Sequence, residues 1–416
     1  MSTNPELMTA PVLPPPRSEI SVVGWMRDNL FSAWYNSALT VMASIALALA
    51  LWFGMGWVFL EADWTVVPTL GGRIIIGQYN IEAACPGQNC FWRPQAALLM
   101  ITVLLGMAWG VAGGGLTKRV AIVVGGVAAA FAFLPYGLDR MGLDVRLLLL
   151  ANLPALAVGW ALARYTRLGT AFWIAILTMI AFVLTLVLLR GLPGVPLLQP
   201  VSVIFWGGLM LNLLLAVAGI GLSFPIGIAL ALGRRSRLQV VKLLSIVFIE
   251  TFRGVPLITL LFMSQVLVPL AFPENFPQNS LVRACIVITL FSSAYMAENI
   301  RGGLQSLHPG QTEAARALGL PGWQTTLFIS LPQAIRNVIP LIVGQFISLF
   351  KDTSLVYIIG MLDVVEISRA FIQGNPEYLA SAKELFIFLA LVFWVFTYGM
   401  SYVSRRVEQH LGVGER

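Results

Sequence analysis

The sequence predicts an all-α polytopic membrane protein with about ten transmembrane helices. Of its 416 residues, 58% are hydrophobic and 11% are charged, whereas soluble domains are roughly a quarter charged. The mean hydropathy is +0.84. The apolar residues form long continuous runs, and a helix needs about 20 of them to cross a bilayer core. A β-barrel would instead show short segments of alternating polarity.

The apolar runs are separated by short charged loops. The predicted spans lie near residues 36–62, 95–116, 119–136, 146–163, 168–190, 204–233, 243–270, 283–301, 338–360 and 382–404. Because Lys and Arg accumulate in cytoplasmic loops, their positions predict the orientation. Most of the basic residues fall inside if the amino terminus is cytoplasmic, among them Lys118, Arg119, Arg164, Arg167, Arg234, Arg235, Arg237, Lys242, Arg405 and Arg406.

This orientation defines the segments outside the membrane. Residues 1–35 are expected to be a cytoplasmic segment, and 405–416 a cytoplasmic tail, of a multi-pass protein of the bacterial inner membrane. The loop 63–94 is expected in the periplasm, where Cys85 and Cys90 flank a turn. A disulfide can persist in that compartment, so both the bonded and the free state of this pair stay open. Cys285 lies in an apolar run and is expected to be a small buried side chain.

Most of the predicted spans are joined by short loops, but residues 302–337 form a long internal segment between two spans. We predict a helix from Gln311 to Leu318, with Glu313 in its first turn and Gly319 ending it. A second helix from Trp323 is predicted to stop at Pro332. A simple connector is commonly two to eight residues long, which favours a binding role over a passive one.

No constellation of residues indicates an enzyme. The two histidines, His308 and His410, are far apart in the sequence, and no Gly-Lys dipeptide of a phosphate-binding loop occurs. We therefore expect no catalytic residue, no metal site and no cofactor in this chain. Any energy source would have to be another subunit.

The internal segment carries a recognisable motif: Glu313-Ala314-Ala315, then Gly319, then Ile329, Leu331 and Pro332. It resembles the cytoplasmic EAA loop of type I importer permeases of the ATP-binding-cassette (ABC) superfamily. The resemblance implies that this loop docks in a groove of the ATPase and transmits its closure. The coupling residues it implies are Glu313, Ala314, Ala315, Arg316, Gly319, Leu331 and Pro332.

Further motifs are similar to those of permeases for polar amino acids. They begin at Glu250, Ala297, Gly310 and Lys351, and together cover roughly 204–404, which we expect to be the permease core. Residues 36–190 would be additional transmembrane helices, as in the long permeases of general L-amino-acid uptake systems. One departure is Val255, where the family pattern has Thr.

The resemblance also implies partners. They are a cytoplasmic ATPase dimer, a second permease subunit, a periplasmic amino-acid-binding protein and the amino acid itself. Membrane lipid surrounds the chain, and no nucleic-acid partner is expected. The chain would be a transport subunit that moves polar or general L-amino acids from the periplasm to the cytoplasm.

The candidate substrate residues lie on the ninth predicted span. Gln345, Ser348 and Asp352 are spaced three and four apart, which places them on one helix face. A carboxylate in a span is costly unless it faces protein or water. Asp352 is therefore expected to accept a hydrogen bond from the ammonium group of the substrate. Thr353 or Ser354 would donate a hydrogen bond to the carboxylate of the substrate. The alternative is an ion pair with Lys351.

Two further charged residues have structural interpretations. Glu298 could pair locally with Arg301, and Arg253 could anchor the cytoplasmic end beside the Gly254-Val255-Pro256 break. Rival functions are a secondary transporter, which would need paired carboxylates and an inverted repeat, and a scaffold or exporter subunit. Copurification with an ATPase and a periplasmic binding protein would separate these possibilities.

Overall fold

A computed structural model describes residues 22–79, 82–88, 90–113, 115–130, 143–166, 170–271 and 279–412. The chain divides into two units at Asp63. In the first unit, α1 (Val22–Leu30) precedes α2 (Trp34–Gly56), which continues as a π-helical turn, Trp57–Glu61. The apolar α2 is unburied within its unit, as expected of a helix that contacts lipid.

The second unit begins with short helices and a helical bundle. These are α3 (Val66–Leu70), α4 (Gly72–Ile76), α5 (Trp92–Ala112), α6 (Gly115–Ala130), α7 (Leu143–Leu150), α8 (Asn152–Tyr165) and α9 (Ala171–Arg190). The hydroxyl of Thr102 on α5 donates to the Asn152 side chain on α8 at 2.7 Å. Such polar contacts hold helices together inside a membrane, where apolar burial does not discriminate protein from lipid.

The rest of the second unit contains the remaining helices and one short strand. It comprises α10 (Gly208–Arg234), α11 (Gln239–Gly254), α12 (Leu257–Ala271), α13 (Ser280–Gln305), α14 (Pro309–Ala317), α15 (Gly322–Gln324), α16 (Leu331–Asp352), β1 (Leu362–Asp363), α17 (Val364–Gly374) and α18 (Ala382–Leu411). Buried apolar residues of α10, α12, α13 and α16 pack together in its centre, including Leu211, Leu261, Ile288 and Leu349.

The predicted fold class is confirmed, but the number of spans differs from the sequence count. The described residues contain seven helices long and apolar enough to cross a membrane, or eight if the bent pair α11 and α12 is one span. The span predicted at 119–136 runs into residues 131–142, outside the described part. The one predicted at 146–163 is divided at Ala151 into α7 and α8, so it is not one long helix.

The bend between α11 and α12 measures 102° and has a local cause. Pro256 lacks a backbone N–H and disfavours helical geometry in the residue before it. Val255 is accordingly extended, with φ −111° and ψ 132°. The Gly254-Val255-Pro256 break is thus a corner that lies inside the predicted span 243–270.

The prediction that a helix stops at Pro332 is wrong. Helix α15 runs through a π-helical segment, Thr325–Ser330, directly into α16. Pro332 lies in the first turn of α16, where a missing N–H is tolerated, and the wide π turn before it accommodates the change of hydrogen bonding. One continuous helical path therefore extends over 38 residues, Gly322–Ile359.

Candidate functional site

The candidate coupling helix is α14. Its amino-terminal cap is His308, whose Nδ1 accepts from the Gly310 amide at 3.1 Å. The helix consequently starts at Pro309, two residues before the predicted start. Glu313 therefore lies beyond the first turn, and its predicted place in that turn is wrong.

Gly319 ends α14 in the predicted manner. Its φ is +79°, a left-handed conformation that costs a residue with a Cβ atom roughly 1–2 kcal/mol. The Gly319 amide donates to Arg316 at 2.9 Å, and the Leu320 amide donates to Ala315 at 3.1 Å. This is the hydrogen-bond pattern of a Schellman motif, which directs the chain sharply from α14 into α15.

The side chains of α14 divide between the chain itself and its surroundings. Ala315 is buried, so it packs against this chain and does not face a partner. Ala314, Glu313 and Arg316 are exposed. Large apolar side chains are also exposed around the helix, namely Leu318, Trp323 and Phe328. Apolar residues of this kind beside a charged helix are typical of a protein interface.

A polar cleft of about 370 Å³ lies between α14 and the ends of the spans. Glu313 and Arg316 line one side of it. Arg235, just after α10, and Gln305, at the end of α13, also line it. The Gln333 side chain reaches back to Gln311 at 3.4 Å. The predicted coupling residues Glu313 and Arg316 thus meet in one cleft, whereas Leu331 is buried against the core.

Beside this cleft, a cluster of charges joins three helices. Glu298 on α13 accepts from Arg234 of α10 at 2.7 Å through Oε1 and from Arg301 at 2.8 Å through Oε2. Arg253 of α11 lies 3.8 Å from the same Oε2. Arg234 also pairs with Glu250 at 2.8 Å. We call these five residues the arginine–glutamate cluster.

The cluster corrects the sequence interpretation of Glu298. The local pair with Arg301 exists, but it is one of three contacts to a side chain that is only 14% exposed. Arg253 also lies over the ring of Tyr295, 5.6 Å from its centroid. The arginine at the 102° corner is therefore held against α13, consistent with an anchoring role.

The candidate substrate residues lie on the face of α16 that points away from the core. Leu349 and Phe350 point into the core, while Gln345 and Asp352 are half-buried and Ser348 is exposed. Beside Gly344 there is open space. Polar groups in a span are unstable against lipid, so this face requires protein or a water-filled cavity opposite it.

The two hydroxyl residues after Asp352 are engaged within the chain. The Thr353 hydroxyl donates to the Phe350 carbonyl at 2.7 Å and is completely buried. The Ser354 hydroxyl donates to the Lys351 carbonyl at 2.8 Å. In this arrangement neither proton is free for a substrate carboxylate. Within the described residues, no ion pair shorter than 4.0 Å joins Lys351 to Asp352.

A buried polar junction supports the end of α16. The amide of Asn212 on α10 donates to the Thr353 hydroxyl at 3.1 Å and accepts from the Val364 backbone at 3.0 Å. Asp363 caps α17 by accepting from the amides of Val365 and Glu366. Burial raises the pKa of Asp363 to about 6. The sequence signal for this junction is Asn212, a polar residue inside the apolar run of α10.

The structure joins Cys85 and Cys90 in a disulfide. Cys285 is a free, partly buried thiol. Among the described residues, no three His, Cys, Asp or Glu side chains lie close enough together to hold a metal ion.

The sequence of this chain is similar to those of known membrane transport proteins. Residues 223–413 match the family described as "Binding-protein-dependent transport system inner membrane component". The chain is 35% identical to the inner membrane amino-acid ABC transporter permease protein YhdY of Escherichia coli K12, over 98% of both chains. It is 33% identical to the glutamate/glutamine/aspartate/asparagine transport system permease protein BztC of Rhodobacter capsulatus, covering 96% of this chain and 95% of that one.

A solved structure described as an amino acid ABC transporter with histidines aligns with 48% of this chain and 90% of its own, at 29% identity and a TM-score of 0.43. The two full-length relatives are permease subunits and not the ATPases of their transporters. The chain therefore belongs to the ABC transporter permeases, the inner membrane components of binding-protein-dependent transport systems.

Proposed function

We propose that this permease imports polar or general L-amino acids, driven by a separate ATPase that docks on α14. One observation carries the proposal: α14 leads through Gly319 into the continuous helical path Gly322–Ile359, and this path also bears Gln345, Ser348 and Asp352. A movement of α14 would be transmitted along a single helix to the polar face. The relatives named for amino acids support this substrate class.

The polar face of α16 favours an assembly with a second permease chain. Ser348 is exposed and Asp352 is half-buried in the isolated chain. Contact with lipid is energetically unfavourable for both side chains. A second permease, opposed across this face, would enclose a polar cavity for the amino acid. Asp352 would bind its ammonium group, and Gln345 would lie closer to its side chain.

Transport then proceeds by alternating access. ATP and Mg bind between the two ATPases, whose closure moves α14 and the helical path behind it. The cavity opens outward, and a periplasmic binding protein delivers the amino acid into it. Hydrolysis of ATP on the partner chains reverses the movement and releases the substrate to the cytoplasm.

The proposed orientation places α14 and both termini in the cytoplasm. Single cysteines at Thr69 and Leu318, two exposed positions, test it in a protein without native cysteines. An impermeant thiol reagent added to intact cells should label the cysteine at Thr69 and spare the one at Leu318. Labelling at Leu318 alone would reverse the orientation.

Copurification tests the assembly. The tagged permease should retain an ATPase and a second permease in mild detergent, and a periplasmic amino-acid-binding protein after cross-linking. Recovery as a stable homo-oligomer without any ATPase would contradict the proposal and favour a secondary transporter.

A further inference from the structure

The segments on either side of the additional helices form one layer at the end of the core opposite α14. We call this layer the platform, and it comprises the described parts of residues 64–93 together with 189–207. Its buried apolar residues pack as one cluster: Ile76, Tyr79, Ala84, Cys85, Cys90, Phe91, Leu189, Val201 and Trp206. The 22 residues of α16 separate α14 from α17, a distance of about 33 Å at 1.5 Å per residue.

The platform is held to the core by close backbone contacts. Gly77 pairs with Trp206 within the platform, and Gly207 and Gly208 pair with Leu362 and Asp363 of the core. Gly208 has φ +59°, and a Cβ atom there would lie 2.5 Å from the Ile74 carbonyl oxygen. Only glycine fits at this position, so α4, α10 and β1 meet without intervening side chains.

Side chains stiffen the platform internally. The Tyr79 hydroxyl donates to the Leu189 carbonyl at 2.7 Å, and burial raises its pKa to about 12. The completely buried Arg93 donates to the carbonyls of Leu197 and Gln199. With the Cys85–Cys90 disulfide, these contacts make the platform a preorganised surface, which lowers the entropy cost of binding.

A cleft of about 140 Å³ opens where the platform meets α17. Its lining combines a cation, two amides and apolar side chains: Arg73, Gln78, Ile367, Ala370, Phe371 and Asn375. Arg73 is exposed, and no ion pair among the described residues includes it. Arg369, nearby on α17, lies 3.9 Å from Glu366. Arg73 therefore contributes an unbalanced positive charge to the cleft.

We propose that the platform and α17 together form the docking surface for the periplasmic binding protein, with an acidic side chain of that protein bound in the cleft beside Arg73. The inference rests on the proposed function. The face opposite the ATPase is where a binding-protein-dependent permease must receive its binding protein, and the cleft is continuous with α17 on that face. The additional helices would thereby enlarge the docking surface.

Charge reversal at Arg73 tests this proposal. The complete transporter, in nanodiscs of zwitterionic lipid, would be titrated with its substrate-loaded binding protein while ATP hydrolysis is measured. Arg73→Glu should raise the half-saturating concentration about tenfold, since interface charges steer association, and leave basal hydrolysis unchanged. Arg164→Glu, at an exposed arginine in the last turn of α8, is the matched control and should behave as wild type.

A photo-crosslinking residue at Gln78 gives an independent measurement. It should form an adduct with the binding protein that disappears when Arg73→Glu is added. An unchanged half-saturating concentration together with no adduct would overturn the docking surface. So would an effect of Arg73→Glu that requires anionic lipid, which would assign the cleft to a lipid headgroup. If wild-type hydrolysis does not respond to any amino-acid-binding protein, the proposed function itself fails.

Discussion

Glu298 accepts a hydrogen bond from Arg234 at 2.7 Å, which ties α13 to the carboxyl-terminal end of α10. The same carboxylate contacts Arg301 and lies near Arg253. Three cations from three helices thus share one largely buried anion. Removing that anion would leave the cations facing one another beside the cleft of α14.

Glu298→Gln should therefore destabilise the protein by about 1–3 kcal/mol, the cost of leaving buried charges without their partner. Thermal unfolding in detergent measures the change. Glu377→Gln, at an exposed glutamate beyond α17, is the control. A double-mutant cycle with Arg234→Gln should show a coupling energy, and simple additivity of the two changes would argue against the cluster.

Gly319→Val should block uptake while the protein folds and reaches normal abundance. A Cβ atom at Gly319 would meet no neighbouring atom, so the effect comes from the positive φ alone. A β-branched residue is strained there, and α14 would be displaced from the ATPase surface. Substrate-stimulated ATP hydrolysis and uptake are the measurements.

The control for this change is Gly322→Ala, which also points into open space but lies at the start of α15 without a positive φ. It should transport normally. Wild-type coupling in the Gly319→Val protein would remove the reason for assigning α14 a coupling role.

The helices and their motifs could be predicted from local sequence, but long-range contacts could not. Gly319 was predictable because a helix end needs a left-handed residue, and Arg301 because it follows Glu298 by three positions on a helix. Arg234 and Glu298 are 64 residues apart, and no local pattern relates them. The predicted helix end at Pro332 is wrong because proline is compatible with the first turn of a helix as well as with its end.

Asp352→Asn should reduce uptake of glutamate, glutamine, leucine and arginine by a similar factor. A hydrogen bond to a charged group contributes about 1.5–3 kcal/mol, which corresponds to a loss of roughly tenfold or more for every substrate. Every amino acid carries the ammonium group, so discrimination should not change. Competitive uptake at matched expression is the test.

Gln345→Glu, in contrast, should favour arginine over glutamate, because Gln345 is expected to lie near the substrate side chain. Ser354→Ala serves as a control for both variants, since its hydroxyl donates to the Lys351 carbonyl. Normal transport of all four amino acids by the Asp352→Asn protein would move the substrate site elsewhere, beginning with Asn212 and Glu298.

Asp363 should make stability depend on pH. Its pKa rises from 3.8 in the unfolded chain to about 6 in the folded one because the carboxyl is buried. A raised pKa means that the folded state binds the proton more tightly. The resulting stabilisation is fully present below pH 3.8 and is lost as the pH rises to about 6.

Asp363→Asn keeps an oxygen acceptor at the cap of α17 and removes the titration. The difference in melting temperature between wild type and variant should therefore change between pH 4 and 6 and be constant above pH 7. A constant difference across the whole range would show that Asp363 binds its proton equally in both states.

The most direct test of ATP-driven import uses proteoliposomes that contain the permease pair and its ATPase. Labelled amino acid and binding protein are supplied on the periplasmic face, and ATP or a non-hydrolysable analogue on the α14 face. We predict accumulation against the gradient that requires both ATP hydrolysis and the binding protein, and that persists when ion gradients are collapsed. Accumulation that follows an ion gradient without ATP would contradict the account.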